Sequence, residues 1–173
     1  MTLKTLVALT PTIIWENGQV RLIDQTKLPL QEEYINTDDY RIVCDAIYRL
    51  AIRGAPAIGV AGAYACVLAA NEIEATELND FVKQYLQQAD EIGATRPTAV
   101  NLMWAVRQMK KKAASFSGDV KDLKSALLDL ADEIRDDDID RCHNLGLHGA
   151  ELIPDHSNIM TICNTGGLAT SGI

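Results

Sequence analysis

Hydrophobic positions along this chain change period once. Over the first 36 residues they read as β. Thr12 to Glu16 and Gln19 to Asp24 flank Asn17-Gly18, the dipeptide favoured in a two-residue hairpin turn. Glu33 to Asn36 adds a candidate third strand. From Thr37 the period becomes helical. Thr37 is a good N-cap, Asp38 and Asp39 suit a first turn, and Ile42, Ala46 and Leu50 fall on one face beside Val43 and Ile47. Arg53-Gly54-Ala55-Pro56 breaks this helix, and Pro56 suits the opening turn of the next. Ala57 to Ala70 is rich in Ala and Gly, so a neighbouring backbone or a ligand can approach it closely. Residues 75–92 form an amphipathic helix on Leu78, Phe81, Val82, Tyr85, Leu86 and Ala89. Thr95-Arg96-Pro97-Thr98 starts a helix that runs to about Ala114. A loop over 116–119 leads to a stripe of Val120, Leu123, Leu127, Leu130 and Ile134, which reads as core-facing rather than as a coiled coil. Asp136-Asp137-Asp138 reads as a solvated helix start, and the helix continues through Cys142, Leu145 and Leu152. Pro154 to Ser157 is a turn, and an apolar strand from Ile159 reaches Cys163. The expected fold class is mainly α with a small N-terminal antiparallel β region.

Composition narrows the function classes. At 173 residues and 47% hydrophobic, the chain can bury a substantial core. A net charge of −8 argues against a nucleic-acid surface, which needs clustered Lys and Arg. The one basic run, Lys110 to Lys112, suits the C-terminal end of a helix dipole. Met1 to Leu9 lacks the long apolar stretch of an export signal, and the Gly-interrupted run over 55–70 is too short for a membrane span. Four dispersed cysteines without a C-x-x-C pair exclude a zinc ribbon or a redox dithiol and fit a reduced, cytoplasmic protein. Cys44, Cys66 and Cys142 read as core residues. His143, His148 and His156 read as structural or surface residues.

Three segments remain as candidate chemistry. In Arg53 to Gly59, an Arg precedes a helix start lined by small residues, where a guanidinium and free N–H groups can share an anion. The alternative is a helix–helix corner with a solvated Arg. Thr95 to Thr98 repeats the device with Arg96, and the same alternative stands. Cys163 with Asn164-Thr165-Gly166-Gly167 places a thiol at a strand end beside a Gly pair, suited to a proton donor or acceptor. The alternative is a buried core thiol.

Together these segments resemble the methylthioribose-1-phosphate isomerase family. The likeness rests on Ile52 to Val60, Thr95 to Leu102 and Cys163 to Thr170, in that order, with His148 to Ile153 in support. It runs from about Trp15 to Gly172 and corresponds to about the first half of a family member. The wider superfamily includes ribose-1,5-bisphosphate isomerase and the regulatory subunits of translation initiation factor 2B.

The resemblance implies a β-hairpin and helical domain over 1–153. It makes 154–173 the first strand and turn of a Rossmann-like domain. It further implies an aldose–ketose isomerase of methionine salvage that needs no metal or organic cofactor. Such an enzyme takes a small phosphorylated sugar, has no nucleic-acid or membrane partner, and is a homodimer at full length. By motif match, Arg53, Gly54, Ala55, Arg96, Thr165 and Gly166 would contact substrate, and Cys163 would be the catalytic thiol. The family pairs that Cys with an Asp further along than Ile173, so the 173 residues are expected to be inactive alone. The family often has His before its Cys; here the residue is Ile162. Two other readings stay open: a non-catalytic sugar-phosphate or nucleotide-binding module of the initiation-factor branch, and a ribose-1,5-bisphosphate isomerase.

Overall fold

Asn17 and Gly18 both take positive φ, 52° and 81°, the combination a tight hairpin turn needs and Asn-Gly provides. The computed structural model describes residues 11–172. The Met1 to Leu9 run therefore lies outside the described residues. The turn joins β1 (Ile13–Glu16) to β2 (Gln19–Ile23), and β3 (Tyr34–Thr37) pairs antiparallel on the other edge of β2. The register sets Ile13 opposite Leu22, Trp15 opposite Val20 and Leu22 opposite Ile35. Ile13, Val20 and Leu22 are fully buried, while Trp15 stacks on Tyr64 at 5.8 Å. One sheet face thus packs on the helices.

Five helices follow: α1 (Tyr40–Tyr48), α2 (Ala55–Glu72), α3 (Leu78–Ala94), α4 (Val100–Ala114) and α5 (Val120–Leu152). Every residue of α2 from Ala57 to Ala70 is buried. A helix apolar all round must be enclosed, and α1, α3, α4 and α5 all pack on it. Its glycines make room for α4. A Cβ on Gly62 would stand 2.4 Å from Leu102 Cδ1, and one on Gly59 would stand 3.2 Å from the Asn101 carbonyl.

Several boundaries differ from expectation, each for a local reason. Asp39, not Thr37, caps α1: its carboxylate accepts from Arg41 N at 2.8 Å, while Thr37 Oγ1 accepts from Asp39 N. The later start turns Tyr40, Val43, Ala46 and Ile47 inward and leaves Ile42 45% exposed. Leu50 lies past the helix end at φ 66°. Thr95 to Thr98 does not open α4. Ala99 N donates to Arg96 O at 2.9 Å, a β-turn with Pro97 at its favoured second position, and α4 begins at Val100. Asp136 to Asp138 is no helix start but the middle of the 33-residue α5. Arg135–Asp136 and Arg141–Asp137 ion pairs offset the like charges. Of the expected stripe, Leu123, Leu127 and Ile134 are buried while Val120 and Leu130 are half-buried, and Ala131 joins the buried face. Past Ile134, α5 buries no residue, and Leu145 and Leu152 are exposed. Ile159 to Cys163 has no ladder partner among the described residues. No described helix is long and apolar enough to cross a membrane.

Asp24 locks the sheet to α1. Its carboxylate accepts from Thr26 N, from Thr26 Oγ1 and from Arg49 Nη1, the last at 2.9 Å. Burial alone would raise this carboxyl, but the Thr26 and Arg49 hydrogen bonds outweigh it and hold the pKa below the ordinary value. A depressed folded-state pKa contributes stability above the unfolded value, and that stability is lost as pH falls through the folded one. Asp24→Asn should therefore cost about 1–3 kcal/mol at neutral pH and flatten the acid limb of the stability curve. Urea titrations of both proteins at neutral and acid pH check this; parallel pH profiles would contradict it.

Candidate active site

The site is built where the start of α2 meets the Gly-rich segment after Cys163. Gly54 is the N-cap of α2 at φ 117°, a conformation open to Gly and strained for other residues. A Cβ there would stand 2.4 Å from Ala169 Cα and 2.7 Å from Ala169 O, so the two backbones touch. Pro56 has no N–H to offer, and Ala57 N, the next amide of the turn, donates to Ala169 O at 3.1 Å.

Three consecutive carbonyls of the loop are held by three different parts of the chain. Thr12 Oγ1 donates to Gly167 O, Gln25 Nε2 to Leu168 O at 2.8 Å, and Ala57 N to Ala169 O. Asn164 Nδ2 donates to Arg53 O at 3.3 Å, and Ser171 N donates to Asp138 Oδ2 at 2.8 Å. Within the loop, Ala169 N returns to Gly166 O at 2.8 Å, with Gly166 at φ 73°. The sheet, α2 and α5 therefore fix one short segment between them.

These bonds bring Arg53, Gly54 and Ala55 against the stretch that carries Cys163, Thr165 and Gly166. Arg53 is exposed, and its Nε donates to Gln25 Oε1 at 3.4 Å. Among the described residues no carboxylate pairs with Arg53, so its guanidinium is available to an anion. Cys163 is exposed, at φ 70°, a region sparsely used by non-Gly residues. Thr165 and Gly166 are exposed beside it.

The other thiols are set apart. Burial pushes Cys66 up to about 12, and raises Cys44 and Cys142 above the ordinary thiol value. Cys66 is core as expected, but Cys44 and Cys142 are only half-buried: Cys44 packs at the rim of the core, and Cys142 lies on the part of α5 that buries no residue. The three histidines are exposed, as expected. Among the described residues no His, Cys, Asp and Glu group could hold a metal.

Arg96 lies elsewhere, in the turn before α4. No hydrogen bond or ion pair among the described residues joins it to the loop. The first turn of α4 does reach α2, through Asn101 against Gly59. A cleft of about 380 Å³ opens there, between Pro56, Gly59, Asn101, Trp104, Asp138 and Arg141.

Sequence reasoning missed Thr12, Gln25 and Asp138. Thr12 and Gln25 are almost fully buried and polar. The only local signal was the polar Asp24-Gln25-Thr26 directly after an apolar strand. Asp138 was hidden in an acidic run.

The model of the Initiation factor 2 subunit family matches residues 51–171. A Desulforamulus reducens protein named methylthioribose-1-phosphate isomerase is 45% identical over 161 residues, which is 92% of this chain and 46% of that protein. The crystal structure of 5-methylthioribose 1-phosphate isomerase from Pyrococcus horikoshii superposes with a TM-score of 0.90 at 32% identity, over 95% of this chain and 46% of that one. That of translation initiation factor eIF-2B, subunit delta, from A. fulgidus gives 0.84 at 38% identity, over 94% and 47%. The chain spans about half the length of the relatives it matches.

Proposed function

The chain belongs to the Initiation factor 2 subunit family, and we propose from that premise that it supplies the anion-binding and thiol half of an aldose–ketose isomerase site. The substrate is 5-methylthioribose 1-phosphate and the product 5-methylthioribulose 1-phosphate. The observation that carries this reading is the junction itself: Arg53, whose guanidinium has no carboxylate partner among the described residues, has its backbone carbonyl tied to a braced loop with an exposed thiol. The names of the similar isomerases supply the substrate.

The chemistry assigns a role to each group. The phosphate blocks the anomeric oxygen, so the sugar ring does not open freely, and the enzyme must open it and move hydrogen between C2 and C1. Arg53 binds the phosphate dianion, with the start of α2 at Gly54 and Ala55 beside it and Arg96 as a second cation. Thr165 and Gly166 line the sugar. Cys163 donates or accepts the proton in flight. In this reading residues 154–173 open a second, Rossmann-like domain that brings the partner acid. The enzyme is a cytoplasmic homodimer without a nucleic-acid partner.

One observation favours a second reading. The likeness to an initiation-factor subunit fits a regulatory module that binds a sugar phosphate or nucleotide without turning it over. A coupled isomerase assay and a calorimetric titration on the 173-residue chain test the first reading. The expected result is binding of methylthioribose 1-phosphate, weakened at least about tenfold in Arg53→Ala, with no measurable turnover. Robust turnover by the chain alone would contradict the half-site, and wild-type affinity in Arg53→Ala would remove the anion anchor.

A further inference from the structure

We propose that Gln25 is a positioning residue that sets Arg53 and the Cys163 loop to one another through a single carboxamide. The inference rests on the reading of Arg53 as the anion anchor. Gln25 is 2% exposed, in the turn after β2. Its own amide is fixed by donation to Ala51 O at 2.8 Å, two residues before Arg53. Its side chain then reaches both halves of the site. Oε1 accepts from Arg53 Nε at 3.4 Å, and Nε2 donates to Leu168 O at 2.8 Å.

The chemistry of the amide suits this place. Arg carries five donors, and a bidentate grip on a phosphate uses only some of them. A neutral acceptor on Nε orients the guanidinium without cancelling its charge. A Glu at this position would pair with Arg53 and compete with any bound anion. It would also set a second acceptor against the Leu168 carbonyl. An apolar isostere would leave the Leu168 carbonyl without this donor. Among uncharged side chains of this length, only Gln offers an acceptor to one partner and a donor to the other. Asn164 adds a second tie on the Arg53 carbonyl, so the loop holds the backbone of Arg53 directly and its side chain through Gln25.

The test reads position and binding separately on the 173-residue chain. Hydrogen exchange of the Arg53 Nε–H, followed by NMR, reports the link without any ligand. Calorimetry with methylthioribose 1-phosphate reports the anchor. In Gln25→Met, exchange is expected to rise at least about tenfold and affinity to fall about tenfold. In the isosteric Gln25→Glu, exchange should not rise above wild type while affinity falls, because the new carboxylate neutralises the guanidinium. A residue that only stabilised the fold would shift unfolding and leave Arg53 exchange in the folded state alone. Unchanged exchange in folded Gln25→Met would overturn the proposal. If that variant does not fold, Gln25→Glu decides, and undiminished affinity there overturns it. If the wild-type chain binds no sugar phosphate, the anion-anchor reading fails, and the exchange measurement alone then decides the link.

Discussion

Gly54→Ala is expected to unseat the loop from Asn164 to Ser171 and to destabilise the fold by on the order of 3 kcal/mol or more. Two costs add. An Ala at φ 117° is strained whatever space surrounds it. Its Cβ would also stand 2.4 Å from Ala169 Cα, and backbone cannot swing aside as a flexible side chain can. Relief requires Ala169 to retreat, which stretches the Ala57 N to Ala169 O bond and loosens the neighbouring bonds from Gln25 and Thr12. Urea unfolding should show the loss, and limited proteolysis should cut first between 164 and 171. Gly146, which has open space where its Cβ would be, is the control: Ala there should be neutral or slightly stabilising. Equal stability of Gly54→Ala and wild type would show that the loop does not rest on the start of α2.

That contact was half legible in the sequence. Arg53-Gly54-Ala55-Pro56 announced a helix start with an unusual N-cap, and Cys163 to Gly167 announced a backbone turn, because Gly and Pro act through local conformation. Their meeting was not legible from local pattern. The bonds that create it join residues 143 and 155 positions apart, from Gln25 to Leu168 and from Thr12 to Gly167. No periodicity marks such a pair.

The same distinction explains the helices. The stripe on α5 and the apolar face of α3 were readable because each buries one side. The fully buried α2 has no polar side to mark its orientation, and its neighbours follow from packing rather than pattern. The α1 face was misjudged by one residue at each end, since Thr37 and Asp39 are both good caps and a bond between them decides which one is used.

The second large effect is on rate. Cys163→Ser replaces a thiol by a far weaker acid of similar shape at an exposed position. General acid–base catalysis by one positioned group contributes typically 10²–10⁴-fold. If Cys163 moves the proton, kcat should fall by about that factor with KM changed only a few-fold, since Arg53 and the start of α2 still hold the phosphate. A purely regulatory module would bind the same ligand with or without the thiol and turn none of it over.

The most direct measurement joins the 173-residue chain to the second half of the Desulforamulus reducens relative, which is 45% identical over the shared part. The chimera is then assayed for conversion of methylthioribose 1-phosphate to the ketose phosphate. The half-site account predicts turnover in the chimera, none in the chain alone, and a drop of about 10²–10⁴-fold in kcat for Cys163→Ser. A chimera that binds the sugar phosphate yet never converts it, or one whose Cys163→Ser variant is as fast as its parent, would contradict it.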